Sequence, residues 1–141
     1  MESQNTFRIA SVILNAPGGR VLLQLRDNKP EILFPDCWVI FGGQIEGEEL
    51  PKAAAIREIE EELGIRLKET EVVFFKKYLS PGKEEFFYTA SISEDLSGIV
   101  LMEGQKMAFF SKGDLPSLKM GFNDKQVLSD YFSSQATGPL K

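Results

Sequence analysis

Between Glu46 and Glu62 the chain sets seven acids (Glu46, Glu48, Glu49, Glu58, Glu60, Glu61, Glu62) against two bases, Lys52 and Arg57. The whole chain of 141 residues carries 21 acids and 16 bases, a net charge of −5. Outside this segment there are 14 charges of each sign, so one short stretch holds the entire imbalance. Glu49–Leu63 has helical composition, with Pro51 tolerated in the first turn and Gly64 placed as the stop. At 100° per residue and with Glu58 at zero, Glu62 falls at about 40° and Glu61 at about −60°. Ala55, Ile56, Ile59 and Leu63 fall between about 60° and 160°, an arc suited to packing on a sheet, while Glu60 points elsewhere, toward solvent. Like charges at i, i+3 and i+4 destabilise an isolated helix by a few tenths of a kcal/mol per pair. A hard divalent cation such as Mg²⁺ or Mn²⁺ removes that cost, since carboxylate oxygens suit it.

A solvated acidic face is the simpler account of a Glu-Glu-Glu run, and the wider spacing is what argues against it. From Gly43 the sequence reads Gly43-x5-Glu49-x7-Arg57-Glu58-Ile59-x-Glu61-Glu62-x-Gly64-Ile65. This resembles the Nudix box, the signature of the Nudix hydrolase family, at every specified position. At average residue usage, a chance match in a chain of this length is on the order of one in ten million.

The resemblance implies an α/β fold, an α/β/α sandwich around a mixed sheet, with the box forming loop–helix–loop. It implies Mg²⁺-dependent hydrolysis, with Mn²⁺ as substitute, of the pyrophosphate bond in a nucleoside diphosphate linked to another moiety, such as a nucleotide sugar. By matching position Glu58, Glu61 and Glu62 are metal ligands, with Glu61 favoured to double as general base and the carbonyl of Gly42 or Gly43 completing the site. Arg57 then pairs with Glu49 to lock the loop onto the helix. Metal-activated water attacks phosphorus without a covalent intermediate. The chain has no histidine, so carboxylates or metal hydroxide serve as base. Two positions depart from the family pattern: Phe41 stands where many relatives carry proline, and Leu50 where a Ser or Thr cap is usual, which weakens the cap by about 1 kcal/mol.

The other elements read as strands over Phe7–Leu14 and Val21–Leu25 around Asn15-Ala16-Pro17-Gly18-Gly19, and a short apolar stretch Cys37–Phe41 after a polar loop. A second pair follows over Glu71–Tyr78 and Glu85–Ile92, with Phe86, Tyr88, Ala90 and Ile92 on one face. Ile99–Met102 and Met107–Phe110 are shorter strand candidates, Asp124–Phe132 a closing helix, and 133–141 a frayed tail. The order describes a single mixed α/β domain over 1–141 with its main helix between strands.

Outside the box, Glu103 sits in a Glu-Gly-Gln context where some Nudix relatives place a further ligand or base, and is equally read as a solvated loop glutamate. Arg26, ending its strand, is a candidate for the substrate phosphates. Asn123 is a candidate to read a base, against a plain helix cap. Phe34, Phe41, Phe86 and Tyr88 are candidates to stack on one, although most of the 11 phenylalanines belong to the core. Glu84 and Glu85 read as turn solvation, and Cys37 as a packed thiol. A single cysteine admits no internal disulfide and fits a reducing compartment. The Ile9–Leu14 run is too short for a membrane span and Arg8 too near for a signal peptide, giving a cytoplasmic expectation. Net negative charge argues against long nucleic acid as partner. The expected partner is a small nucleotide, with a homodimer admitted. Two alternatives remain: pyrophosphohydrolysis of normal or oxidised nucleoside triphosphates, and a noncatalytic nucleotide-binding Nudix domain.

Overall fold

The computed structural model describes residues 6–136. Seven strands form one mixed sheet: β1 (Phe7–Ala16), β2 (Arg20–Leu25), β3 (Trp38–Val39), β4 (Phe41–Gln44), β5 (Val73–Ser80), β6 (Lys83–Ser91) and β7 (Lys106–Phe110). Helix α1 (Pro51–Leu63) lies between β4 and β5, and α2 (Asp124–Ala136) follows β7. The central strand is β1. It runs parallel to β6 from Phe7↔Lys83 to Asn15↔Ser91, which occupies one whole edge. The other edge is shared: Ile9–Val12 pairs antiparallel with β4, and Leu14–Ala16 with β2. β2 continues to β3 and β7, so the sheet forks at Ile13.

Strand alternation sends β1 side chains to opposite faces. Ala10, Val12 and Leu14 enter a core with Leu22, Tyr88 and, from α1, Ala54, Ala55, Ile59 and Leu63; Phe86, Ile92 and Ile56 pack around it. Ile13 enters a second core with Leu23, Phe87 and, from α2, Val127, Leu128 and Tyr131. The sheet is therefore sandwiched between α1 and α2, as the sandwich reading expects.

Several boundaries differ from the sequence reading. Ile99–Met102 forms no strand. The Val100 and Met102 N–H groups donate instead to the Leu63 and Glu62 carbonyls, at 3.3 and 2.9 Å, satisfying acceptors that a helix leaves unpaired at its end. Cys37–Phe41 divides at Ile40 into β3 and β4. Residues 133–136 belong to α2 rather than to a frayed tail, and 137–141 lie outside the described residues.

Candidate active site

Leu50 caps α1 without a side-chain hydrogen bond and Pro51 follows at its first position. At the other end Gly64 adopts φ 72° and its N–H donates to the Glu60 carbonyl, the left-handed ending that glycine allows. Between them, Arg57 gathers the preceding loop. Its Nε and one terminal nitrogen donate to the two Glu49 oxygens at 2.6 and 2.9 Å, and the latter nitrogen also donates to the Gln44 carbonyl at 3.0 Å. The other terminal nitrogen donates to Glu58 at 2.9 Å and Glu61 at 3.1 Å. One guanidinium thus offsets the carboxylate repulsion on the helix. It also holds the Glu49 carboxyl down to about 2.

Glu58 and Glu62 face a cleft of about 710 Å³ that Gly42, Gly43 and Glu103 also line. Glu62 is 5% exposed. Its Oε1 accepts the Gly42 N–H at 3.1 Å and its Oε2 accepts the Gln24 amide at 3.5 Å. Burial, then the charges of Glu58 and Glu103, push its carboxyl up to about 8. Burial also raises Glu58. The glycines admit this approach: a Cβ at Gly43 would overlap the Glu58 carboxylate, and one at Gly42 would overlap Ser11 and the Ala10 carbonyl. Glu103 is carried in by the segment bonded to the end of α1. Gly104, at φ 87°, then passes so near the Leu25 carbonyl that a Cβ would lie 2.8 Å from it.

The rest of the cleft belongs to the α2 side. Arg26 and Lys83 line it, with their cationic groups 5.2 and 5.5 Å from the Phe122 ring centre. Asp124 also lines it. This carboxylate is buried, accepts the Ile40 N–H at 2.9 Å, and is pushed up to about 7, by burial first and Glu85 next. Glu85, read from sequence as turn solvation, is instead a buried lining residue paired with Lys83 at 3.4 Å.

The structure brings Glu58, Glu62, Glu103, Gly42, Gly43 and Arg26 to one cleft. Glu61 is held against Arg57 with its side chain 56% exposed, outside the lining. Phe41 is corrected: it is wholly buried in the α1-side core and has no surface to offer a substrate. Tyr88 belongs to that same core and Phe86 packs against it, whereas Phe34 packs at a tilt against Phe122 at a 4.6 Å centroid distance. Asn123 is exposed and its carbonyl accepts the Val127 N–H, which places it at the start of α2; the neighbouring Asp124 reaches the cleft instead. Cys37 is buried. Sequence reasoning missed Gln24, Lys83 and Asp124 and misread Glu85.

Among the described residues no three carboxylates converge as a ready-made ion cage. Mg²⁺ does not require one: it is typically held by one or two carboxylates, with waters and substrate phosphates completing its shell. The oxygen-only donors Glu58 and Glu62, crowded and half or more buried, with Glu103 adding negative charge, fit such an ion.

The match to the NUDIX domain model spans residues 5–131. The chain belongs to the NUDIX family. Its Nudix neighbours by structure include a MutT/nudix family protein from Enterococcus faecalis, at a TM-score of 0.78, 16% identity and coverage of 96% of this chain and 64% of that one. A mutT/nudix family protein from Listeria innocua matches at 0.78 and 17% identity, over 96% of each chain. In sequence, the chain is 31% identical over 117 residues to an ADP-ribose pyrophosphatase of Methanocaldococcus jannaschii, covering 79% of this chain and 65% of that protein. It is 34% identical over 62 residues to the human diphosphoinositol polyphosphate phosphohydrolase 3-alpha, covering 43% of this chain and 38% of that protein. The chain therefore matches less than two thirds of either relative's length. No helix among the described residues is long and apolar enough to cross a membrane.

Proposed function

We propose that this chain is a Nudix hydrolase that uses Mg²⁺, or Mn²⁺, to cleave the pyrophosphate bond of a nucleoside diphosphate linked to another moiety. The observation that carries the reading is the Glu58–Glu62 carboxylate pair opening onto the cleft that also holds Glu103, Arg26 and Lys83. Two carboxylates crowded together, one of them buried, stay there at a cost that a cation removes. Similarity to an ADP-ribose pyrophosphatase over most of the chain supports a nucleoside diphosphate derivative as substrate.

A bound divalent ion would neutralise the pyrophosphate oxygens and acidify a coordinated water. Glu58 and Glu62 would hold it, with the carbonyl of Gly42 or Gly43. Arg57 would keep Glu58 aimed and Glu61 at the edge of the site. Arg26 and Lys83 would take phosphate charge on the far side. The water's proton would pass to a carboxylate lining the cleft, Glu58 or Glu103, rather than to Glu61.

The test is a Mg²⁺-dependent hydrolysis panel of nucleotide sugars, ADP-ribose, dinucleoside polyphosphates, and normal and oxidised nucleoside triphosphates, with products separated chromatographically. Preferred cleavage of one diphosphate derivative by wild type and not by Glu58→Gln is the expected result. A triphosphate preference would replace the substrate class. Binding without turnover would point to the noncatalytic reading, and turnover in excess chelator would end the metal assignment.

A further inference from the structure

The strand Val21-Leu22-Leu23-Gln24-Leu25 breaks its own pattern once. Leu22 enters the α1-side core, and two residues on, the same face of the strand presents Gln24 where an apolar side chain would suit. Gln24 is 6% exposed. A buried amide is costly unless it is hydrogen-bonded, so its partners explain its presence. Its Nε2 donates to Glu62 Oε2 at 3.5 Å, while the Gly42 N–H donates to Oε1 at 3.1 Å. Its own Oε1 faces Gly104, close enough that a Cβ there would lie 2.9 Å away. One side chain therefore touches both the carboxylate that α1 supplies and the glycine beside Glu103.

We propose that Gln24 is a positioning residue that fixes the orientation of the Glu62 carboxylate toward a divalent cation and sets the Glu103 loop in register with it. The inference rests on the metal reading above. With a donor on each oxygen, rotation of the Glu62 carboxylate is restrained, and its remaining lone pairs are turned toward the cleft. Partners of this kind outside the ligand shell typically change metal affinity by about 10–100-fold when removed. A purely structural amide would show the opposite pattern, affecting the fold and not the ion.

The experiment measures Mn²⁺ binding to the substrate-free full chain, by the electron paramagnetic resonance of unbound Mn²⁺, alongside metal-free thermal melting. Gln24→Met keeps the volume and removes the donor. It is expected to weaken Mn²⁺ binding about tenfold while metal-free melting holds or rises. In a Glu62→Gln background the same change is expected to add nothing, because the carboxylate it positions is gone. Wild-type Mn²⁺ affinity in Gln24→Met, or an equal loss in both backgrounds, would overturn the inference and leave the metal reading standing. A wild-type chain that binds no Mn²⁺ would overturn both. Should Gln24→Met fail to fold, Gln24→Leu carries the same comparison.

Discussion

Arg57 grips Glu49 with two parallel hydrogen bonds, at 2.6 and 2.9 Å, and with the same planar group reaches Glu58, Glu61 and the Gln44 carbonyl. Among the described residues, no other single side chain touches so much of the loop between β4 and α1 and the acidic face of the helix at once.

Replacing that fork by a point charge should therefore be damaging. Arg57→Lys keeps the charge and loses the bidentate geometry. The expected outcome is at least a tenfold fall in kcat/KM with the secondary structure retained, read by steady-state kinetics and circular dichroism.

The clamp also has a defined pH range. Glu49 is held at about 2 against an ordinary value of 4.5, chiefly by its hydrogen bond to Arg57. A depressed carboxyl contributes its stability in full above its ordinary value and loses it as pH falls toward the depressed one. Melting temperature should fall between about pH 4.5 and 2 in wild type. It should fall less steeply in Glu49→Gln, and equal slopes would remove the clamp's role in acid stability.

Glu62 carries the opposite sign. Its carboxyl stands at about 8 against 4.5, raised first by burial, so the folded chain binds its proton more tightly than the unfolded chain does. Metal-free stability should decline as pH rises from 4.5 through 8. Glu62→Gln should flatten that decline, and differential melting at pH 5 and pH 9 reads it directly. Cation binding, which displaces the proton, should tighten over the same interval.

The carboxylates should not be equivalent in turnover. Glu58→Gln removes a group in the cleft and should cut kcat by about a hundredfold or more. Glu61→Gln alters a residue that Arg57 holds outside the lining and should cost about tenfold. Equal losses would return Glu61 to the centre of the chemistry.

Asp124 offers a test on the far wall. Asp124→Leu leaves the buried Ile40 N–H without its acceptor and should destabilise the fold by about 1–3 kcal/mol. Asp124→Asn keeps an acceptor and lacks the charge that burial disfavours. It should melt higher than wild type above about pH 7, where the wild-type carboxyl must ionise.

Much of this site was legible because its residues are neighbours in sequence. A helix at 3.6 residues per turn places Glu58 beside Glu62 whatever the rest of the chain does, and Gly64 ends the helix by its own backbone freedom. The pairing of Arg57 with Glu49 was implied by the resemblance to the Nudix box, and two hydrogen bonds form it. Gln24, Lys83, Glu85 and Asp124 come from three distant elements, and for Lys83, Glu85 and Asp124 nothing local distinguishes them. Glu85 looked solvated because it follows a turn, yet the parallel pairing Ile9↔Glu85 carries it inward. Asn123 and Asp124 are equally polar, and only the packing of α2 decides which of them reaches Ile40. Phe41 was misplaced by adjacency to the glycine pair: along β4 its side chain points into the core while Gly42 and Gly43 border the cleft. The polarity break at Gln24 was the one signal that could have been caught from sequence.

The hydrogen bonds from Val100 and Met102 to the last carbonyls of α1 have a consequence for how the chain reaches its final state. Helix α1 can form early from local contacts, but its end is closed by a segment that lies beyond β5 and β6. Long-range closures of this kind come late, after the entropy of the intervening loop has been overcome. The cleft that Glu62 and Glu103 both line is therefore completed only when the tertiary structure is nearly complete. Partly folded chains would carry the helix and its acidic face without a competent cleft, so a newly made chain would gain its activity at the final step and not gradually.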